Sequence, residues 1–229
     1  MLKNLRVGKI NFNDGMKTKL ILVIAFAFLV HETNGQSIGF KGGINLANMS
    51  FTQNGVGYSP ESLTGFQLGP VADFKLVKNL YLNTGFLYSL KGYNLNSPVL
   101  AGTEGVFLNG KVKLSYLDIP LNLAYKFPLI GKSKFFIQGG PYMGLGLGGS
   151  VKIQTTPETP IQDVYSYNYL HNFDFGVGAG AGFEFGPLVA SVNYELGISN
   201  LNLSTTLPGT YKNKALQFSI AYMFWNFNK

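Results

Sequence analysis

The sequence contains no cysteine, and this absence excludes two classes of protein at once. Without thiols the chain can build neither a disulfide framework nor a thiolate metal site. Histidine is almost as scarce: after residue 35 only His171 remains, which excludes a site of several histidine ligands. Charged residues make up 13% of the chain and glycines number 29. That mixture is too apolar for disorder and too rich in glycine for a helical bundle.

Long apolar runs are also missing. The longest covers residues 20–30, whereas a membrane-spanning helix needs about 20 residues. The run follows Lys17 and Lys19 and leads to the small residue Gly35, which is typical of a cleaved secretory signal peptide. A retained membrane anchor is the alternative. We therefore predict an upstream extension in residues 1–15, a signal peptide in 16–35 and one exported domain in 36–229.

The formal net charge of +7 raises the question of nucleic-acid binding. Five cations and two carboxylates precede residue 35, so the exported part carries 13 − 9 = +4. Its cations are scattered along the sequence, whereas a phosphate-binding protein normally clusters them on one face. We predict no nucleic-acid partner.

Alternation of apolar and small or polar residues is the main pattern that is present. In the stretch from Phe173 to Phe185 every second residue is apolar, and the residues between are Asp174, four glycines and Glu184. Successive side chains of a strand point to opposite faces. A water-facing surface of four glycines between two carboxylates would be unusual. A narrow barrel in a bilayer explains it better, because lipid covers the apolar face and the glycines leave room inside for large side chains.

The same period of two recurs about eight times. We predict strands at about 37–48, 63–77, 80–93, 111–127, 134–147, 173–185, 188–197 and 214–227. Within the fourth strand Pro120 cannot donate to a ladder, which predicts a bulge or a local weakness. Links after strands two, four and six are short, and those after strands one, three, five and seven are long and polar. This pattern predicts an all-β fold, an eight-stranded antiparallel up-and-down transmembrane β-barrel with tight periplasmic turns and longer external loops.

Six segments stand out in order along the chain: GFKGGINL (39–46), LYSLKG (87–92), YLDIPL (116–121), GGPYMG (139–144), DFGVGAGAGFE (174–184) and YELGISN (194–200). Together they resemble the PorT-like family of outer-membrane β-barrel proteins. The resemblance implies a barrel in the cell outer membrane, whose predicted partners are outer-membrane lipid and the barrel-assembly machinery. One member type is linked to a protein-secretion system, so the resemblance also implies an envelope or secretion-system protein as a partner.

Charged side chains on the inward face are the first candidates for a site. They are Lys41, Asp73, Lys75, Lys91, Asp118, Lys126, Asp174, Glu184 and Glu195. An eight-stranded barrel is just wide enough for side chains to fill it, and an isolated buried charge suffers a large desolvation penalty. We therefore predict a structural network of ion pairs in the lumen, with no catalytic site, no metal and no cofactor.

The sequence also bears on three other functions. The glycine runs at 144–148 and 176–180 do not fit a phosphate-binding loop, because their glycines alternate within strands instead of opening a helix. Lipid-A-modifying enzymes are eight-stranded barrels too, and a deacylase of that kind needs a serine beside its histidine; His171 is followed by Asn172 and Phe173. We predict that the protein is not an enzyme. A soluble lipocalin-like carrier, with its aromatic residues inside around an apolar ligand, is the other alternative.

Aromatic residues on the outward face gather near the predicted strand ends, as in the two interfacial girdles of a membrane barrel. In the third long loop Tyr165, Tyr167 and Tyr169 are the best candidates for an external contact, since tyrosine is common at interfaces. A loop packed on itself is the alternative interpretation of these three residues.

Overall fold

A computed structural model of the chain describes residues 36–53, 55–97, 108–153, 161–162, 165, 170–203 and 209–226. The predicted signal peptide and upstream extension lie outside the described residues. The strands are β1 (Gln36–Gln53), β2 (Val56–Tyr58), β3 (Glu61–Val77), β4 (Leu80–Gly85), β5 (Leu87–Ser97), β6 (Leu108–Pro128), β7 (Ser133–Ile153), β8 (Ile161–Gln162), β9 (Phe173–Phe185), β10 (Leu188–Gly197) and β11 (Thr210–Asn226). In this part of the chain no helix has the length and hydropathy of a membrane span.

Eight strand positions close into an antiparallel ring. The order is β1, β3, β4 with β5, β6, β7, β9, β10 and β11, and β11 returns to pair with β1. β4 and β5 are two halves of one position, and the short β2 and β8 extend β1 and β7 at one end. Because each strand pairs with its neighbours in the sequence and the ring is closed, no long edge is left unpaired. The predicted up-and-down fold is confirmed.

The two ends of the ring differ. At the tight-turn end, the links after β3, β6 and β9 span residues 78–79, 129–132 and 186–187. At the opposite, long-loop end the strands continue into stretches that the sequence predicts as loops: β1 runs to Gln53, β7 runs to Ile153 and β6 begins at Leu108. β6 and β7 have 21 residues each, about twice the 9–11 residues that cross a bilayer. The wall of the barrel therefore extends well beyond a membrane on the long-loop side.

The third strand position is broken at Phe86, between β4 and β5. Pro70 of β3 lies on one side of the break, and the N–H of Phe86 donates to its carbonyl oxygen at 3.0 Å. Pro120 of β6 lies on the other side, in the gap between the pairing of β6 with β4 and with β5. Neither proline has an N–H, so the ladder is interrupted here. The predicted local weakness at Pro120 is confirmed, while the bulge lies elsewhere: Ser115 pairs with Gly148 and Tyr116 with Gly146, so the extra residue is Leu147 of β7.

The two faces of the sheet separate as the alternation predicts. On β9 the outward Val177 is 44% exposed, whereas the inward Asp174 is 0% exposed. The inward glycines leave space for bulky neighbours: a Cβ placed on Gly176 would lie 2.6 Å from the ring of Tyr142, and one on Gly182 would lie 2.5 Å from the ring of Phe136. The glycines of this strand therefore let large side chains of β7 enter the interior.

An aromatic belt surrounds part of the tight-turn end on the outward face. Ring centroids are 4.9 Å apart for Tyr125 and Phe127, 5.9 Å for Phe127 and Phe135, 5.2 Å for Phe135 and Phe183, and 6.0 Å for Phe183 and Phe185. The belt crosses β6, β7 and β9 at one level. Amphipathic and aromatic rings at the end of an apolar surface are typical of a membrane interface.

Candidate functional site: a filled lumen

The inward residues of β6 give the order of the layers inside the barrel. From the tight-turn end to the long-loop end they include Lys126, Asp118, Tyr116, Leu114 and Val112, all of them buried. The interior thus changes along the axis, first charged and then apolar. Three layers follow from this order: a lower ionic layer, an upper ionic layer and an apolar layer.

The lower ionic layer is centred on Lys126. Its Nζ contacts Asp73, and it lies 2.8 Å from Oε2 of Glu184. The other oxygen of Glu184 is 3.0 Å from Nζ of Lys134, and the ring of Tyr81 lies 4.1 Å from Nζ of Lys126. Each carboxylate is contributed by a different strand, so this layer links β3, β6, β7 and β9 across the lumen.

The upper ionic layer is centred on Lys91, which is 1% exposed. Its Nζ lies 2.9 Å from Oδ2 of Asp118 and 3.1 Å from Oε2 of Glu195, and the ring of Tyr142 is 4.6 Å away. The partners come from β6, β10 and β7. One lysine therefore balances two buried carboxylates.

Asp174 is held in a different way, by neutral donors. Its carboxylate accepts hydrogen bonds from the hydroxyl of Tyr142 at 3.1 Å, the amide of Asn213 at 2.9 Å and the hydroxyl of Ser199 at 2.9 Å. Asn213 also donates to the hydroxyl of Tyr116 at 3.2 Å. The three donors replace much of the hydration that this buried group loses.

Lys41 lines a small cavity of mixed polar and apolar lining between the two ionic layers. Asn122, Asn193, Glu195 and Gln217 lie around the same space. Among the described residues neither Lys41 nor Lys75 has an ion pair within 4.0 Å. Of the other seven charged residues predicted for the lumen, six form ion pairs and one, Asp174, is hydrogen-bonded. The structure thus brings together two separate ionic clusters, and it leaves Lys41 beside the upper one.

The apolar layer closes the long-loop end of the interior. Its buried members are Met49, Val112, Leu114, Tyr116, Leu170 and Leu201, and Phe51, Tyr93, Val151, Tyr165 and Tyr211 pack against them. Phe51 meets Tyr93 and Tyr211 edge to face, at centroid distances of 5.1 and 4.7 Å. This layer was not predicted from the sequence. The signal that could have shown it is the run of alternate apolar residues 112, 114 and 116 between lysines and serine.

Tyr165, which the sequence suggests as an external contact, lies in the apolar layer. Its ring packs against Tyr116 with centroids 6.1 Å apart and planes at 72°, and its hydroxyl is buried. Gly146 makes room for it, because a Cβ there would lie 2.6 Å from the Tyr165 ring. Tyr167 and Tyr169 lie outside the described residues.

The described residues can also be compared with the requirements of catalysis and metal binding. His171 is exposed, and its backbone N–H donates to the carbonyl oxygen of Leu201 at 2.9 Å. The nearby Ser199 hydroxyl donates to Asp174 and accepts from the N–H of Phe175 at 2.9 Å. Where the structure describes the chain, it holds no group of three or more His, Cys, Asp or Glu side chains placed to bind a metal ion.

A closed antiparallel ring with an apolar outer face and a charged interior defines a transmembrane β-barrel. The sequence matches the model of a family described as "Outer membrane protein beta-barrel domain" over residues 31–202, which is most of the chain. The protein belongs to this family and is located in the outer membrane. The soluble lipocalin-like alternative is therefore wrong: the aromatic residues of the belt, such as Phe127 and Phe183, face outward, where lipid covers them, and the ionic residues face inward.

Several solved outer-membrane barrels are similar to the chain. Neisserial surface protein A has 12% identity and a TM-score of 0.39, over 81% of this chain and 97% of its own. Ail, the attachment invasion locus protein of Yersinia pestis, has 15% identity and a TM-score of 0.39, over 83% and 99%. OprG from Pseudomonas aeruginosa has 12% identity and a TM-score of 0.40, over 84% and 97%. No curated protein matches the sequence.

Proposed function

We propose that the protein is a non-enzymatic barrel of the outer membrane that acts as a rigid scaffold and contacts another envelope component. The observation that supports this proposal is the filled lumen, with two ionic layers and one apolar layer in series. Opening a passage would separate buried ion pairs, and breaking one such pair typically costs about 3–5 kcal/mol. An interior of this kind favours a fixed wall over a channel.

Two exposed apolar sites at opposite ends of the barrel are the best candidates for the contact. At the tight-turn end Ile130 is 96% exposed, in the turn between β6 and β7. At the long-loop end Val56 is 72% exposed and Tyr58 is 48% exposed, on the hairpin formed by β1 and β2. Both sites lie beyond the apolar outer surface that lipid covers. Apolar and aromatic side chains in such positions are typical of protein contacts.

The resemblance to PorT-like proteins favours a partner in protein secretion, and we include this finer assignment in the proposal. If tight turns face the periplasm, as in outer-membrane barrels generally, Ile130 would meet a periplasmic partner and Tyr58 an external one. The contacts proposed for Ile130 and for Tyr58 can therefore be tested separately.

A photoreactive amino acid at position 130 or 58 in growing cells tests the proposed contact. Lys78, which is exposed in another tight turn, supplies the matched control position. We expect a discrete crosslinked protein at position 130 or 58 and none at position 78. Equal crosslinking at all three positions, or none at any, would contradict the proposal.

Secretion and catalysis need their own measurements. A deletion strain is expected to lose particular proteins from its secreted fraction, and an unchanged fraction would remove the secretion assignment while leaving the contact itself. Purified protein is expected not to hydrolyse lipid A. Hydrolysis that disappears in a His171→Ala variant would show that the protein is an enzyme.

A further inference from the structure

The outward face of β6 changes from apolar to polar residues toward the long-loop end. Leu117 is the last apolar residue on this face toward the long-loop end, and Ser115, Lys113 and Lys111 follow at every second position. On the inward face the order is reversed, from Asp118 to apolar side chains. A strand rises about 3.3 Å per residue, so along the strand Lys113 lies about 13 Å and Lys111 about 20 Å from Leu117. Their long, flexible side chains can reach back toward the headgroups above the hydrocarbon.

A third lysine joins them from β7. Lys152 lies directly opposite Lys111 in the ladder, and Ser150 lies opposite Lys113. Lys111 and Lys152 are exposed, and so is Lys113, diagonal to Lys152. We call these three residues the lysine patch. Like charges directly opposite each other destabilise a strand pair, so the patch costs the isolated barrel some stability.

Carboxylates do not offset this cost within the described part of the chain. No salt bridge joins a lysine of the patch to a described acidic residue. Glu61 lies two strands away from Lys111, with Asn94 between them in the ladder. An anion from outside the chain would relieve the repulsion.

A second pair of lysines lies at the same end of the barrel, but its members have no lysine opposite them. Lys212 and Lys214 follow Leu216 on the outward face of β11, at the corresponding level. Their partners across the ladder are the neutral residues Ser50 and Asn48. Among the described strand pairs, only β6 with β7 sets two ammonium groups directly against each other.

We propose that the lysine patch binds the phosphoryl groups of a phosphorylated lipid in the external leaflet. The cations stand at the level of lipid headgroups, on the outward face, with an unbroken apolar surface below them for the acyl chains. Lysines are point-charge donors that suit phosphate, and each one near a charged membrane surface contributes about five-fold to binding. The inference requires the outer-membrane location but no protein partner, so it stands or fails apart from the proposed contact at Ile130 and Tyr58.

The test uses the purified, folded protein in a neutral detergent and measures the binding of phosphorylated lipid A by native mass spectrometry. Lys111→Gln with Lys152→Gln removes the opposed pair. Lys212→Gln with Lys214→Gln removes the same charge at the same level and is the matched control. We expect binding about 30-fold weaker in the first variant, at roughly five-fold per lysine, and less than about five-fold weaker in the second. Heat-modifiable gel mobility checks that both variants are folded.

Two further ligands separate the sources of phosphate. Lipid A from which the phosphates have been removed is expected to bind at least about 30-fold more weakly than the phosphorylated form, and inorganic phosphate is expected to compete only at concentrations far above those of the lipid. Equal losses in the two variants, or equal binding of both forms of lipid A, would overturn the proposal. Strong competition by inorganic phosphate would overturn the lipid as the ligand.

Discussion

Two glycines on one strand give the sharpest test of how the interior is packed. Gly176 and Gly178 both lie on the inward face of β9, two residues apart. A Cβ on Gly176 would lie 2.6 and 2.8 Å from two ring atoms of Tyr142 and would also press on the carbonyl oxygen of Leu196. A Cβ on Gly178 would make its nearest contact at 3.4 Å, with Cγ of Glu195, which is an ordinary van der Waals distance.

The expected energies differ in sign. Gly176→Ala overpacks a closed site, which typically costs about 1–3 kcal/mol. If the Tyr142 ring moves, its hydrogen bond to Asp174 is lost as well, at about 1.5–3 kcal/mol for a bond to a charged group. Gly178→Ala meets no clash, and the smaller entropy of the unfolded chain should stabilise the protein by about 0.4–1 kcal/mol. The two variants should therefore differ by at least about 1.4 kcal/mol in free energy of unfolding, and by more if the hydrogen bond to Asp174 is lost.

Urea titration of the protein in lipid vesicles, followed by gel mobility and by the fluorescence of its one tryptophan, measures this difference. The clash with Tyr142 can be isolated by a third variant. Tyr142→Leu should cost less in the Gly176→Ala background than in the original chain, because the two side chains compete for one space. Equal destabilisation by Gly176→Ala and Gly178→Ala, or additive effects of Tyr142→Leu, would refute this account of the packing.

Three other outcomes follow from the layers of the lumen. Lys91→Met leaves the carboxylates of Asp118 and Glu195 buried without their cation and should lower the free energy of unfolding by about 3–5 kcal/mol. Lys134→Met, at the half-exposed edge of the lower layer, should cost less than about 1 kcal/mol. Similar losses for the two variants in the same urea titration would contradict the ion-pair geometry. Leu114→Ala opens a cavity in the apolar layer and should cost about 2–5 kcal/mol, and a loss below about 1 kcal/mol would show that this layer is loosely packed. The purified barrel should give no steady conductance in a planar bilayer, and a conductance that is unchanged by Lys91→Met would contradict a filled lumen.

Much of the architecture could be predicted because one physical contrast repeats along the chain. Lipid outside and a narrow interior demand alternation, and in β9 the alternation extends from Phe173 to Phe185 without a fault. The strands were predicted correctly where apolar residues face lipid, except that the third, predicted as one strand at about 80–93, is broken at Phe86. Short and long links then fixed the strand order, since neighbours in the sequence pair in an up-and-down barrel.

The long-loop ends of the strands were not predicted, because there the polar residues face outward and the apolar residues face inward. Beyond the hydrocarbon Lys111 and Lys113 face outward into polar surroundings, while Val112 and Leu114 face inward into an apolar layer. A rule that looks for apolar residues on the lipid side reads these stretches as polar loops. Their continuation as strands is dictated by packing inside the barrel.

The choice of partners inside the lumen could not be predicted either. That Lys91 and Asp118 face inward follows from the period of two, but that they meet Glu195 depends on three strands far apart in the sequence. Asp174 illustrates the same limit: the sequence predicts an ion pair, and the structure supplies three neutral donors. Only the curvature and register of the closed ring decide such contacts.

The central claim is that the apolar face of the sheet meets lipid and the glycine and ionic face forms the interior. Spin labels attached to Val177→Cys and Phe218→Cys variants in lipid vesicles test it most directly, through relaxation by oxygen, which concentrates in hydrocarbon, and by a water-soluble nickel complex. We expect both labels to be relaxed strongly by oxygen and weakly by nickel, whereas a label at Thr52→Cys, on the same face above the membrane, should show the opposite. Labels at Val177 and Phe218 that respond to nickel and not to oxygen would contradict the claim.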